Sequence, residues 1–115
     1  CFNRDEAKEM VSAGADIIVA HVGMTTGGSI GAAESMTLEQ AIEVTMDITG
    51  AARSLKKDIF VLCHGGPFDE PENVAIALKK MPGVDGFYGA SSIERLPVER
   101  AITEQVKKFK EIKLK

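Results

Sequence analysis

Three short apolar runs mark the chain: Asp16-Ile17-Ile18-Val19-Ala20-His21, Asp58-Ile59-Phe60-Val61-Leu62-Cys63-His64 and Val84-Asp85-Gly86-Phe87-Tyr88-Gly89. The first two are apolar on consecutive residues instead of alternating. That pattern predicts strands covered on both faces, as in parallel sheets flanked by helices. The third is interrupted by Gly86 and is the weakest strand pattern of the three. Between the runs, apolar residues recur at helical spacing. Asn3 with Glu6 is an amino-terminal cap pattern, and Gly14 stops the helix that follows. Thr37 with Gln40 forms a capping-box pattern ahead of Leu38, Ala41, Ile42, Thr45, Ile48, Ala52 and Leu55. Pro71 suits the first turn of a helix carrying Val74, Ala77, Leu78 and Met81, with Gly83 ending it. Pro97 starts a last helix, on which Val98, Ala101, Ile102, Val106, Phe109 and Ile112 make one apolar stripe.

The order helix, strand, helix, strand, helix, strand, helix predicts an α/β fold with parallel strands joined by right-handed crossovers. At 115 residues the chain is long enough for one domain and too short for two. Three parallel strands leave two bare edges, which expose unpaired backbone groups. The expectation is therefore a partial barrel, residues 1–115, whose edges are covered by the remainder of the barrel or by copies of the chain. Cys1-Phe2-Asn3 reads as the tip of an earlier strand, which favours the first arrangement.

Composition narrows the function classes. A net charge of −3 argues against general nucleic-acid binding, which needs a basic face to neutralise phosphates. The lysines from Lys107 to Lys115 fit favourable placement near a helix carboxy-terminus. No apolar run approaches the roughly 20 residues that span a bilayer, so no membrane association is expected. Cys1 and Cys63 have no framework spacing, and the expected compartment is a reducing cytoplasm.

In such folds, reacting groups collect on loops at the carboxyl ends of strands. The first strand opens into His21-Val22-Gly23-Met24-Thr25-Thr26-Gly27-Gly28-Ser29-Ile30-Gly31, where four glycines and three hydroxyl side chains make a loop with many exposed N–H donors. Gly23, Thr25, Thr26, Gly27 and Gly28 are its candidate ligand-binding residues; a long, merely mobile connection is the competing reading. The second strand opens into Cys63-His64-Gly65-Gly66-Pro67. There Gly65 and Gly66 allow close backbone approach, and His64 is a candidate general acid/base or a hydrogen-bonded structural histidine. Cys63 reads as a packed residue at a strand end. The third runs into Gly89-Ala90-Ser91-Ser92-Ile93-Glu94-Arg95, where a short helix starting at Ser91 or Ser92 would aim free N–H groups at the strand mouth. Glycine loops after the last strands plus a short extra helix is an arrangement many barrels use for phosphate.

His21 and His64, the only histidines, both fall at strand ends. With Asp69 or Glu94 they could bind a divalent metal, although no tight ligand spacing supports it. Glu94 and Arg95 are candidate catalytic residues beside the two histidines; a plain pair with each other or with neighbouring loops is the alternative.

The segments H-V-G-M-T-T-G-G-S-I-G-A (His21 to Ala32), L-C-H-G-G-P (Leu62 to Pro67) and G-F-Y-G-A-S-S-I-E-R-L-P-V-E (Gly86 to Glu99), behind the leading A-G-A-D (Ala13 to Asp16), together resemble one family. It is the phosphoenolpyruvate-hydrolase-like TIM-barrel family, related also to the carboxy-terminal TIM-barrel domain of plant virus-resistance proteins. Val22, Met24 and Phe68 are conservative departures from its pattern. The resemblance implies that the chain supplies the last three β/α units of a (β/α)8 barrel, and such barrels run to about 250 residues. It also implies kinship with enzymes of the phosphoenolpyruvate/pyruvate barrel superfamily, which generally hold Mg²⁺ on acidic residues of earlier strands, outside this sequence. The function expected is that of a hydrolase or lyase acting on a small phosphorylated or carboxylated enol or 2-oxo acid. The glycine loops and Ala90-Ser91-Ser92 would hold the anion, His64 or His21 would transfer protons, and Arg95 would neutralise developing charge. The alternative is a non-catalytic barrel domain that binds a metabolite or nucleotide.

Overall fold

A computed structural model describes residues 1–28, 31–32 and 36–113. Its elements are α1 (Arg4–Ser12), β1 (Ile17–His21), α2 (Leu38–Leu55), β2 (Phe60–His64), α3 (Pro71–Lys80), β3 (Gly86–Phe87), α4 (Ser91–Glu94) and α5 (Leu96–Lys110). The helix starts follow the cap residues. The Asn3 side chain accepts from the N–H groups of Asp5 and Glu6, and Thr37 and Gln40 close a reciprocal capping box. Pro71 sits in the first turn of α3, and Gly14 and Gly83 take positive φ after α1 and α3.

The strands are parallel and in sequential order, β1-β2-β3, as right-handed crossovers between consecutive units require. The register pairs Ile17 with Phe60 and His21 with His64 on one side, and Cys63 with Phe87 on the other. Three parallel strands alternating with helices form part of a TIM barrel. β3 is short because its entry is tied down by a side chain. The Asp85 carboxylate accepts from the Val61 N–H at 2.8 Å, replacing a ladder bond, and also from Arg53 at 2.9 Å.

Along β1 and β2, Ile18, Ala20, Val61 and Cys63 are buried against the helical layer. Two apolar clusters form there, one joining Ala7, Ile48 and Ala52 to the lower strands and one joining Ala41, Phe68, Ala77 and Met81 to the strand tips. The alternate residues face the other way, and Ile17 (55%) and Phe60 (60%) are exposed. This corrects the expectation of strands covered on both faces: the helices that cover the sheet, α1 to α3, pack on one side. In a barrel the second face is the interior, which three strands cannot enclose.

The outer edge of β1 is not bare. The Cys1 nitrogen donates to the Val19 carbonyl at 2.8 Å, and the Cys1 carbonyl accepts from the His21 N–H at 2.9 Å. That is the hydrogen-bond pair of a parallel strand beside Ala20, as the strand-tip reading of residues 1–3 anticipated. α5 begins at Leu96, one residue before Pro97, and of its apolar residues only Leu96 is buried. The rest of its stripe faces outward.

Candidate functional site

Parallel pairing in sequential order brings the carboxyl ends of the strands to one edge, and the two histidines with them. The His21 and His64 rings meet edge to face, with centroids 4.8 Å apart and planes at 85°. Phe2 flanks His21 at 4.7 Å and Tyr88 flanks His64 at 5.0 Å, so four rings stand in a row across the strand tips. Their spacing is the inter-strand distance itself.

The hydrogen bonds give the two imidazoles opposite tautomers. His64 Nδ1 lies 2.7 Å from the Tyr88 carbonyl oxygen. A carbonyl can only accept, so Nδ1 carries a proton, and in the neutral ring Nε2 then holds the lone pair. His21 Nδ1 instead accepts from the Gly23 N–H at 3.1 Å, which places the proton of the neutral ring on Nε2. Burial, then the neighbouring His64 and the nearby amino terminus, push the His21 pKa below the ordinary histidine value. His21 is thereby favoured as a neutral N–H donor.

The loop after β1 is stitched to the loop after β2. The Val22 N–H donates to the His64 carbonyl at 3.1 Å, the Gly66 N–H to Gly23 at 2.9 Å, and the Thr26 N–H to Gly66 at 3.2 Å. The Thr26 hydroxyl donates to Asp69 at 2.6 Å, and Asn73 holds the other oxygen of that carboxylate at 2.9 Å. Gly65 and Gly66 are buried with φ of 81° and 52°. A Cβ on Gly65 would strike the Gly23 carbonyl, and one on Gly66 would come within 2.9 Å of the Val22 carbonyl. The glycine pair therefore lets two loops cross backbone to backbone, and the Gly66 N–H is already committed. In this structure that N–H is spent on the Gly23 carbonyl. Of the same long loop, Ser29 and Ile30 lie outside the described residues.

A cleft of about 360 Å³ opens beside the histidines, lined by His21, Gly23, Met24, Thr25, Ala32, His64, Ala90, Ser91 and Arg95. Of the candidate residues, the structure thus gathers His21, His64, Gly23, Thr25, Ala90, Ser91 and Arg95. Ser92 lines a separate groove on the helical side, and Glu94 is exposed on α4, outside the cleft wall. Gly89 makes room for Ile93, which a Cβ there would strike. Gly27 and Gly28 are exposed; the Gly27 carbonyl accepts from Arg95 at 3.2 Å, and Arg95 also pairs with Glu99 at 3.1 Å. Arg95 thus reaches the cleft with part of its charge already balanced. Cys63 is buried and its thiol is pushed up to about 11 by desolvation, which keeps it protonated and unreactive.

No group of three or more metal-ligating side chains occurs among the described residues. Asp69 is engaged by Thr26 and Asn73, and Glu94 points elsewhere, so these residues do not fit the histidine–carboxylate metal site. Nor do they build the acidic Mg²⁺ site of the barrel superfamily.

Fold and site together define a parallel β/α-barrel segment with a histidine-lined cleft at its strand ends. The chain belongs to the phosphoenolpyruvate hydrolase-like family, whose sequence profile matches residues 1–112. Two tomato (Solanum lycopersicum) proteins, "ToMV susceptible protein tm-1(GCR26)" and "ToMV resistance protein Tm-1(GCR237)", are each 53% identical over 113 residues, 98% of this chain. "Putative transcriptional regulatory protein y4pA" of Sinorhizobium fredii (strain NBRC 101917 / NGR234) is 30% identical over 107 residues, 93% of this chain. The chain spans 15% of the length of the tomato proteins and 17% of the rhizobial one.

Tyr88, Phe2, Met24 and Ala32 are not among the candidate site residues that the sequence offers. Tyr88 was within reach of it. If Cys63 pairs with Phe87, the next residue on each strand pairs His64 with Tyr88, and aligning the three strand ends would have found it.

Proposed function

We propose that the strand-end cleft is an acid–base site for a small carboxylated or phosphorylated enol or 2-oxo acid, which it cleaves by hydrolysis or carbon–carbon bond scission. The observation that carries this reading is the opposite tautomers of two touching histidines on one cleft. His64 presents a lone pair at Nε2 and His21 a proton at Nε2, so one ring can accept a proton while the other donates to a developing oxyanion. The Ser91 hydroxyl and Arg95 stand on the facing wall, where they suit an anionic group. The phosphoenolpyruvate hydrolase-like family membership points to the same substrate class.

The test is turnover of enol phosphates and 2-oxo acids by a protein that carries this chain within a closed barrel, with and without Mg²⁺. His64→Ala should cost about 10²–10⁴ in rate, the usual worth of a positioned general base, while leaving affinity within a few-fold. Ser91→Ala should weaken binding by about 0.5–1.5 kcal/mol, the net worth of one hydrogen bond. Ligand binding without turnover of any substrate would sink the enzymatic reading. It would leave a metabolite-binding regulatory barrel, a role in keeping with the name of the rhizobial relative, a putative transcriptional regulatory protein.

A further inference from the structure

We infer that Glu99 makes the strand-end cleft selective for a singly charged carboxylate over a doubly charged phosphate, by holding Arg95 in place and balancing its charge. Glu99 is thus a positioning and specificity-determining residue, and its role rests on the acid–base reading of the cleft given above. Among the described residues that line the cleft, Arg95 is the one with a permanent positive charge. Its Nη1 donates to Glu99 Oε2 at 3.1 Å and to the Gly27 carbonyl at 3.2 Å. Nε and Nη2 have no hydrogen-bond partner among the described residues. They form one edge of the guanidinium fork, and a carboxylate matches that edge with two parallel bonds.

An ion pair in open solvent would do little here, because water screens both charges and both side chains move. This one is shielded. The Arg95 and Glu99 side chains are 19% and 23% exposed. Gly28 lies directly on them with a φ of 73°, and a Cβ there would strike the Glu99 carboxylate and come within 2.7 Å of Arg95 Nη1. Leu96, buried between the two in sequence, would touch the same Cβ at 3.0 Å. The glycines after Thr25-Thr26 therefore roof an ion pair, which fixes the arginine and lengthens the reach of the glutamate's charge.

Selectivity follows from how the opposing energies scale. In the Born picture, the cost of taking an anion out of water rises with the square of its charge. Attraction to Arg95 rises only in proportion to that charge, and Glu99 subtracts from it for each charge brought in. A carboxylate brings one charge and a phosphate two. Nearby donors that could offset the second are spent: the Gly66 N–H on the Gly23 carbonyl, and the Arg100 guanidinium on Glu70. Glu99 is the repulsive element that a discriminating site needs alongside its attractive one.

The test uses three probes of one shape: pyruvate, acetylphosphonate and the monomethyl ester of acetylphosphonate. At about pH 8 the phosphonate carries two charges, as a phosphate does, while pyruvate and the ester carry one each. The ester therefore separates charge from bulk. NMR titration of a protein that carries this chain within a closed barrel should find the ester within about threefold of pyruvate and acetylphosphonate about tenfold weaker than the ester. Glu99→Gln keeps the side-chain length and an acceptor oxygen for Arg95. It should narrow the gap between acetylphosphonate and its ester about tenfold, with an unchanged circular dichroism spectrum, whereas Arg95→Gln should weaken all three probes. Acetylphosphonate binding as tightly as its ester would overturn the inference, as would a gap that Glu99→Gln leaves unmoved; either result keeps the cleft as a carboxylate site. Failure of all three probes to bind, or pyruvate binding that Arg95→Gln does not alter, would remove the reading of the cleft and the inference with it.

Discussion

His21 and His64 show how much a single backbone bond can decide. The rings are chemically identical and lie on neighbouring strands, yet Gly23 donates to one Nδ1 while Tyr88 accepts from the other. That either histidine stands at a strand mouth was legible from the sequence, since each closes an apolar run. The tautomers were not, because they depend on where a backbone N–H and a carbonyl point after the strand has ended. The same holds for Gly65 and Gly66: two glycines at a strand end signal close backbone approach, but not whether the approaching group is a ligand or the Gly23 carbonyl. The lowered pKa of His21 has a consequence for stability. Below the ordinary histidine pKa of about 6.5 the unfolded chain takes up a proton that the folded chain refuses. Stability should therefore be highest above that pH, fall as pH drops through it, and level off once the folded ring titrates too. Urea unfolding from pH 8 to 5 should show this fall and show less of it in a His21→Asn variant; parallel profiles for the two chains would contradict it.

At the scale of elements, the caps and the helix periods were legible because they are local. Asn3, Thr37, Gln40 and Pro71 each act within a few residues of themselves. What local pattern could not reveal is which neighbour covers a face. The α5 stripe has the right period and remains bare, while the face of α2 bearing Ala41, Thr45, Ile48 and Ala52 is fully buried. One residue on that face fits poorly. The Thr45 hydroxyl is buried with no hydrogen-bond partner among the described residues. An unsatisfied buried donor of this kind costs about 1–3 kcal/mol, whereas valine keeps the branched shape without the hydroxyl. Thr45→Val should accordingly raise the unfolding free energy by about 1 kcal/mol, read as a higher urea midpoint at unchanged slope. A loss of stability would mean that the hydroxyl has a partner.

At the scale of the molecule, the alternation of elements specified a parallel sheet in sequential order, since right-handed crossovers leave few other solutions. It did not specify how many strands must cooperate to cover the second face. The unbroken apolar runs of β1 and β2 describe strands buried on both sides, and here only one side is. Ile17 and Phe60, register partners at the entrance of the sheet, bear that mismatch directly. Their composition suits a closed barrel, while their environment in this chain is an open sheet. The discrepancy is measurable at Phe60. In the 115-residue chain its side chain is 60% exposed, and removal should cost within about 0.5 kcal/mol, as for other surface positions. In a longer protein whose further strands close the barrel, the ring becomes interior, and Phe60→Ala should cost about 3–5 kcal/mol. Denaturant unfolding of the substitution in both chain lengths makes the comparison. A cost of several kcal/mol in the short chain would show that the sheet's second face is already covered. Equal small costs in both would show that barrel closure leaves Phe60 in solvent.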